Sequence, residues 1–228
     1  MSAVVIVRPE PGLSATVASC KRASLPVMAA PMFEIEPVSW EAPDPAKFDA
    51  LLIGSANAIR HGGDQLDSLR GLPAYCVGAR TAEVTRAAGF SVAQTGEGGL
   101  QSLVDASAAA HSRFLRLSGE QHVTLDARED ILIEQRIVYR SRPKPMADLL
   151  HRTLKDGAIA LLHSAEAARH FAAECDRLTI DRSQVDCALI GPRLAEAAGE
   201  GWRSIGWPEK PTDDALVAFA KDLWHNQM

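Results

Sequence analysis

The sequence has few cysteines, and their spacing does not form a functional set. Cys20, Cys76, Cys175 and Cys187 lie far apart in a chain of 228 residues, without a CxxC pair and without histidines at metal-ligand spacing. This pattern argues against a disulfide framework and against a zinc site, so we expect no metal. The thiols are predicted to act as small core hydrophobes.

Long hydrophobic runs are also missing. The first apolar run extends only from Ala3 to Val7 and is ended by Arg8 and Pro9. It is too short for a signal peptide or a membrane span. The apolar runs elsewhere have the length of strands. We therefore expect a cytoplasmic protein without a membrane partner.

An excess of positive charge is absent as well. The formal net charge is −5 and the isoelectric point is near 5.8. Duplex nucleic acids are bound by clustered basic surfaces, so we expect no nucleic-acid partner. An acidic small molecule could still be held by a few local cations.

Several catalytic motifs are missing. The sequence lacks GxGxxG after a strand, GxxxxGK[ST], HExxH and GxSxG, and its histidines are scattered. Without GxGxxG and GxxxxGK[ST], the case for a nucleotide cofactor is weak. Without HExxH, the case for a metalloprotease is weak. A nucleotide-dependent α/β enzyme with an atypical loop stays open as a weaker alternative.

What the sequence does contain is an alternation of short β-rich runs with alanine-rich segments of helical period. Continuous apolar strands joined by helices predict parallel sheets that are covered on both faces. Two of the segments, Gly99–His111 and the one around Leu216–Trp224, show the apolar stripe of a core-facing helix. The predicted strands are Val4–Val7, Leu51–Ile53, Ala74–Val77, Phe114–Leu117, Ile137–Tyr139, Ile159–Leu162 and Cys187–Ile190.

An internal repeat organises these elements. The stretch around Ser55 resembles the stretch around Ser164, and the stretch around Gly78 resembles the one around Gly191 at a nearly equal offset. Each half has the order strand, Ser-led helix, strand, Gly-led helix. A repeat that spans almost half of the chain is typical of a duplicated domain, so we predict an α/β fold of two similar lobes with a cleft between them.

The boundaries of the lobes follow from proline-rich crossings near residues 37–45 and 142–145. The first strand and helix have no counterpart directly before the first repeat unit, so we expect them to complete the C-terminal lobe. The predicted domains are residues 1–35 with 143–228, and an inserted lobe of residues 36–142. We expect a hinged monomer.

The repeat places polar residues where strands end and helices begin. Backbone N–H groups are free at such junctions, and ligands of open α/β sheets gather there. The alternative is that the serines and Thr81 only cap helices and that the arginines are solvated. The candidates for binding an anionic substrate are Arg8, Ser55, Ala56, Asn57, Arg60, Gly78, Arg80, Thr81, Ser164, Gly191 and Arg193.

Tyr139 is a further candidate. It ends the apolar run Ile137–Tyr139, just before the second proline-rich crossing, so its hydroxyl could point into the cleft. The alternative is a structural tyrosine that closes a core strand, because tyrosines are often half-buried.

Several blocks in this order resemble the uroporphyrinogen-III synthase family. They are VVIVRPEPG, LLIGSANAIRHG, CVGARTAEVTRAAGF, the IVYR that contains Tyr139, and ALIGPRLAEAA, and together they cover nearly the whole chain. The resemblance implies a cofactor-free enzyme that converts linear hydroxymethylbilane to uroporphyrinogen III, with loss of water and inversion of ring D. It also implies two α/β lobes joined by a linker of two β segments.

The resemblance assigns roles to particular residues. Tyr139 matches a tyrosine near the leaving hydroxyl and is the candidate proton donor. Thr81 matches a threonine in the cleft and is the second catalytic candidate. Ser55, Asn57, Ser164 and Gly191 match positions that line the cleft.

Two stretches depart from the family pattern. The family's Gly-Pro-Thr-Thr-Ala is here Gly-Pro-Arg193-Leu-Ala, and an Arg-Gly pair after the middle strand is here Ser118-Gly119. One cation is lost and another is gained, so substrate contacts at Ser118, Gly119 and Arg193 are expected to be redistributed. The alternative is a non-catalytic two-lobed protein that binds a polyanionic small molecule on the same fold.

Overall fold

The structure, a computed structural model, describes residues 3–107, 111–126 and 128–226. Its contacts divide the chain into two compact units. Unit 1 comprises the residues up to Glu34 and those from Arg142 onward, and unit 2 comprises Ile35–Ser141. The chain passes between the units within two strands. The assignment of these units to the domains expected from the sequence stays a prediction.

The described strands and helices alternate along the chain. The strands are β1 (Ala3–Ile6), β2 (Val27–Ala29), β3 (Phe33–Pro37), β4 (Ala50–Ile53), β5 (Ala74–Val77), β6 (Val92–Gly96), β7 (Arg113–Gly119), β8 (Leu132–Pro143), β9 (Ala158–Leu162), β10 (Val185–Leu189) and β11 (Ser204–Gly206). The helices are α1 (Gly12–Arg22), α2 (Ala56–His61), α3 (Ala79–Ala87), α4 (Gly99–Ser107), α5 (Asp148–Lys155), α6 (Ala165–Arg177), α7 (Ala195–Ala198) and α8 (Asp213–His225).

Unit 1 is built on a five-stranded parallel sheet in the order β11-β10-β9-β1-β2. Side chains alternate between its two faces, as the period of two along a strand requires. Val4 and Ile6 of β1 pack in a cluster with residues of α1 and α8. Val5 and Val7 pack on the other face with residues of α5 and α6. Both faces are therefore covered by helices.

Unit 2 is built on a six-stranded sheet in the order β3-β8-β7-β4-β5-β6. The pairs β4–β5, β4–β7, β5–β6 and β7–β8 are parallel. Leu51 and Ile53 of β4 pack with residues of α2 and α3, whereas Ala50 and Leu52 pack with α4. The predicted α/β fold with parallel sheets flanked by helices is confirmed.

All seven predicted strands are present, but the sequence pattern missed four others. These are β2, β3, β6 and β11, which are short or partly exposed. A half-exposed edge strand lacks the continuous apolar run on which the predictions depended. The helix predicted for residues 99–111 begins at Gly99 and runs to Ser107, while residues 108–110 lie outside the described residues.

The repeat is confirmed in element order but not in every length. Ser55 and Ser164 are the N-caps of α2 and α6, and their hydroxyls accept backbone hydrogen bonds. The Gly-led helix predicted after Gly191 is shorter than its counterpart α3. A short 3-10 turn is followed there by the four-residue α7, because Gly199 leaves helical geometry with a φ of 70°.

The cysteines behave as expected for core residues. All four are buried and free. Burial raises the pKa of the Cys20 thiol to about 11 and that of Cys175 to about 12. Thiols with such pKa values carry almost no thiolate at neutral pH, so they do not serve as nucleophiles.

Candidate functional site

A pocket of about 240 Å³ opens in unit 2 where β4 and β7 end, beside β8. In parallel sheets this end of the strands is where ligands bind, because the chain turns there and polar groups converge. The side chains of the pocket that concern its chemistry are Ser55, Leu100, Arg116, Ser118, His122 and Tyr139.

Tyr139 is held against a glycine. Gly119 of β7 is the sheet partner of Tyr139 in β8, and the Glu120 N–H donates to the Tyr139 carbonyl at 3.0 Å. A Cβ atom on Gly119 would lie 2.6 Å from Cζ of the tyrosine ring, closer than real contacts allow. The absence of a side chain at Gly119 therefore lets the ring lie close against the strand, with Tyr139 lining the pocket.

Arg116 also lines the pocket, although the sequence pattern does not single it out. It lies within β7 and is only 4% exposed. Its Nη1 donates to the Val123 carbonyl at 2.8 Å, but its buried Nε has no partner. Burial lowers the pKa of its guanidinium, an effect that the nearby Tyr139 opposes. An available signal was a charged residue in the middle of an apolar strand sequence, Phe-Leu-Arg-Leu.

Two hydroxyls accompany this cation in the pocket. Ser118 is 7% exposed, and its Oγ is buried without a hydrogen-bond partner. Ser55 Oγ accepts from the Asn57 N–H at 3.2 Å. Ser118 is two residues after Arg116, so both side chains point to the same face of the sheet. An arginine and an unsatisfied hydroxyl form a site suited to an anion.

Unit 1 has a polar cluster at the corresponding end of its sheet. Arg8 Nη1 lies 3.3 Å from Asp213 Oδ1 and also donates to Thr16 Oγ1 at 3.3 Å. The Thr16 hydroxyl lies 2.8 Å from the same Asp213 oxygen. His163 Nε2 donates to it at 2.8 Å, because a carboxylate can only accept. We call these four residues the unit 1 cluster.

The charges of the unit 1 cluster balance within the cluster. Burial lowers the pKa of His163, although Asp213 acts in the opposite direction, so the imidazole is neutral at neutral pH. Burial raises the pKa of Asp213, but hydrogen bonds from His163 and Thr16 outweigh burial, and the net pKa is lowered. The carboxylate is thus ionised and balances the charge of Arg8.

The family model described as uroporphyrinogen-III synthase HemD matches residues 14–218. The chain belongs to the uroporphyrinogen-III synthase family. Members of this family are cyclising lyases of tetrapyrrole synthesis, and this chain is an enzyme of that class. The resemblance noted in the sequence is thereby confirmed.

Two solved structures share the synthase fold. Uroporphyrinogen-III synthetase from Helicobacter pylori is 21% identical with a TM-score of 0.67, covering 98% of this chain and 100% of that one. A mutant uroporphyrinogen III synthase from Thermus thermophilus is 16% identical with a TM-score of 0.53, covering 99% and 100%. No curated protein sequence matches this chain.

Within unit 2, the site residues predicted from the sequence fall into two groups. Tyr139, Ser55, Ser118 and Gly119 line the pocket together. The other candidates are not among its lining residues, namely Ala56, Asn57, Arg60, Gly78, Arg80 and Thr81.

These remaining candidates of unit 2 have local roles in the structure. Thr81 is 6% exposed in α3, and its carbonyl accepts from the Thr85 hydroxyl at 2.8 Å. Gly78 precedes α3 with a φ of 77°, a value that favours glycine. Arg80 is exposed and pairs with Glu83 at 2.6 Å. Their roles toward substrate stay predictions.

Two further candidates of unit 2 contact each other on α2. The exposed Arg60 donates to Asn57 Oδ1 at 3.3 Å. Ala56, the first residue of the same helix, is buried. Their substrate contacts also stay predictions.

The synthase candidates of unit 1 lie at separate junctions. Ser164 caps α6 by accepting from the Ala167 N–H at 3.1 Å. Gly191 is buried just after the end of β10, and Arg193 is exposed on the 3-10 turn that follows. Arg8 belongs to the unit 1 cluster. Their contacts with substrate stay predictions.

Over residues 3–107, 111–126 and 128–226, three or more His, Cys, Asp or Glu side chains nowhere come together in a way that could hold a metal ion. Among the helices of those ranges, none combines the length and the apolar character that crossing a membrane requires.

Proposed function

We propose that this synthase converts hydroxymethylbilane to uroporphyrinogen III at the pocket of unit 2. The observation that supports this location most strongly is the contact of Tyr139 with Gly119, which holds a phenol in a pocket beside a buried arginine. Ser55, Ser118, Gly119 and Arg116 are the proposed substrate contacts there. The product differs from the substrate by the loss of one water and by the inverted ring D.

The first step breaks the C–O bond of the hydroxymethyl group. The electron pair of the adjacent pyrrole nitrogen forms an azafulvene cation as the hydroxide leaves. Tyr139 donates its phenolic proton to this hydroxide, which departs as water. When ring closure has restored the aromatic pyrroles, the proton that is released returns to the Tyr139 oxygen. The enzyme thus ends in its starting protonation state.

Positioning is the larger part of the task. The substituted carbon of ring D must attack the azafulvene carbon, which gives a spiro intermediate. The bond from this carbon to its original methylene bridge then breaks, and the bridge bonds to the free α-carbon of ring D, which inverts the ring and releases the proton. The free bilane instead closes directly at the free α-carbon, without inversion. The substrate carries eight carboxylates, and fixing a few of them selects the reactive conformation. Fixed hydrogen-bond donors in the pocket also stabilise charges that develop during the reaction. The enzyme needs no strongly basic surface for this purpose.

We further propose that the protein acts in the cytoplasm as a monomer and without a cofactor. The short apolar runs of the sequence support the location, and the missing nucleotide motifs support the lack of a cofactor. Its partner is the linear tetrapyrrole.

The proposal is tested by a coupled assay of isomer formation. Hydroxymethylbilane is generated in place, the products are oxidised, and type I and type III porphyrins are separated by chromatography. Closure without the enzyme gives type I, so we expect type III to dominate when the protein is added. Type I alone would contradict the proposal and would favour the alternative, a binding protein for a polyanionic small molecule.

A further inference from the structure

The repeat makes positions in the two units comparable residue by residue. Ser55 and Ser164 correspond in the repeat and cap corresponding helices. The same sequence offset pairs Leu52 with Leu161, whose sheet partners are Arg116 and Ile6. Two residues further along these strands, Ser118 in unit 2 occupies the place of Arg8 in unit 1.

Two other members of the unit 1 cluster, His163 and Asp213, have counterparts as well. Gly54 and His163 correspond, because they directly precede the two capping serines. The offset between Gly78 and Gly191 pairs Leu100 with Asp213 at the start of the last helix of each half. Gly54, Leu100 and Ser118 all line the pocket of unit 2. In unit 1 this region is filled by the side chains of the unit 1 cluster. In unit 2 the equivalent region is an open pocket, because smaller or apolar residues lie at the equivalent positions.

Into this pocket unit 2 introduces one cation of its own. Arg116 lies on the same face as Ser118, but the repeat equivalent of Arg116 is the apolar Ile6. Among the described residues, no carboxylate pairs with Arg116, and its one hydrogen bond goes to a neutral carbonyl. A buried charge without a counter-charge is costly for a protein. Such a residue is expected where a ligand supplies the missing anion.

The donors that remain available match a carboxylate. Nη1 of Arg116 is used by the Val123 carbonyl, whereas Nε is buried without a partner. A carboxylate takes two parallel N–H donors from one edge of a guanidinium. The unpartnered hydroxyl of Ser118 adds a third donor. The pocket of about 240 Å³ has the liquid volume of about eight waters, enough for an acetate or propionate side chain.

We propose that Arg116 and Ser118 bind one carboxylate of the linear tetrapyrrole in this pocket, next to Tyr139. This inference rests on the proposed function and assigns a carboxylate subsite within it. It also accounts for the departure in the sequence at Ser118, since the cation of this region stands two residues earlier on the same face. Anchoring a carboxylate here sets the distance between the bound pyrrole and the Tyr139 hydroxyl.

The test compares three variants by steady-state kinetics and by binding of uroporphyrin III, a fluorescent octacarboxylate. Arg116→Met removes the charge at similar length, and Ser118→Ala removes only the hydroxyl. Arg70→Met is the matched control, because Arg70 is an exposed arginine of unit 2 that pairs with Asp67 at 2.7 Å. Melting temperatures are recorded for every variant.

We expect Arg116→Met to raise KM and the uroporphyrin Kd by about 10- to 100-fold. Ser118→Ala should raise both by about threefold to tenfold, and the control should change neither. The melting temperature of Arg116→Met should not fall, since an unpaired buried charge is replaced by an apolar chain. A lower melting temperature with unchanged KM and Kd would overturn the proposal. Arg116 would then have only a structural role, through its hydrogen bond to the Val123 carbonyl.

The two readouts separate this inference from the proposed function. If the wild type forms only type I porphyrin but its affinity for uroporphyrin III depends on Arg116, the proposed reaction fails and the carboxylate subsite stands. If type III forms normally and the Kd is the same for the wild type and for both pocket variants, the subsite is refuted and the reaction stands. Should Arg116→Met fail to fold, Ser118→Ala decides alone.

Discussion

The two units place different chemistry at equivalent positions of one duplicated scaffold. In unit 1, Arg8 is balanced by Asp213, and the neutral His163 completes the hydrogen bonds of that carboxylate. In unit 2, the equivalent positions are small or apolar, a pocket is open, and Arg116 has no carboxylate partner among the described residues. A cation that is already neutralised stabilises its unit, whereas a cation without a partner is available to a ligand. We therefore expect changes in the unit 1 cluster to act mainly on stability and changes in the unit 2 pocket to act mainly on binding.

The largest effect is expected from Tyr139→Phe. Removing the hydroxyl while keeping the ring should lower kcat for type III formation by about 10²- to 10⁴-fold, the usual contribution of a general acid. The melting temperature should stay near that of the wild type, because the ring still packs on Gly119. The isomer assay with purified variant measures the rate, and wild-type kcat in this variant would show that Tyr139 is not the donor.

A somewhat smaller effect should follow from Gly119→Ala. The added Cβ would lie 2.6 Å from the Tyr139 ring, so the ring must move away from its place against the strand. We expect kcat to fall and stability to drop by about 1–3 kcal/mol, as in other overpacked sites. Gly71→Ala is the matched control, since no atom lies within 4 Å of its added Cβ. Equal behaviour of the two variants in urea unfolding and in the isomer assay would contradict the packing argument.

Asp213→Asn should act on stability rather than on catalysis. The change leaves Arg8 without its counter-charge, so we expect a loss of about 1.5–3 kcal/mol in the free energy of unfolding. Asp214→Asn is the control, because Asp214 lies in the same first turn of α8 but is exposed. Denaturant unfolding of both variants measures the difference. A loss that is equal in the two variants would mean that only the charge at the helix terminus matters.

The smallest effect concerns pH and His163. Its pKa in the folded protein lies below the value of about 6.5 in the unfolded chain, so the unfolded state binds more protons below that pH. The contribution of the neutral His163 to the free energy of unfolding is fully present above about pH 6.5 and is lost as the pH falls. We expect the unfolding free energy to decrease between pH 7 and pH 5 by at most about 1.4 kcal/mol per pH unit. In His163→Gln the decrease of the unfolding free energy per pH unit should be smaller than in the wild type. An unchanged decrease would mean that other titratable groups cause it.

The sequence predicts the parts of this molecule that depend on local pattern. Continuous apolar strands such as β4 and β9 are buried on both faces, and the pattern finds them. The edge strands β6 and β11 are partly exposed, so hydrogen bonds to a neighbouring strand define them more than composition does.

Some residues of the candidate site can also be predicted from local sequence pattern, and others cannot. The pattern identifies Ser55 because it follows an apolar strand, and Tyr139 because it ends the apolar run Ile137–Tyr139, although β8 continues to Pro143. Arg116 was missed because it lies inside a strand that was interpreted as core. The partners of Asp213, namely His163 and Arg8, are distant in sequence, and the sheet order alone brings them together. No local sequence pattern predicts such a contact.

The most direct test of the account compares Arg116→Met with Asp213→Asn in the isomer assay, at a temperature below the melting point of both. We expect Arg116→Met to lose at least about tenfold in kcat/KM for type III while keeping its stability. Asp213→Asn should lose stability and keep kcat/KM within about threefold. The reverse pattern, with unaffected catalysis in Arg116→Met and impaired catalysis in Asp213→Asn, would contradict the assignment of binding to unit 2.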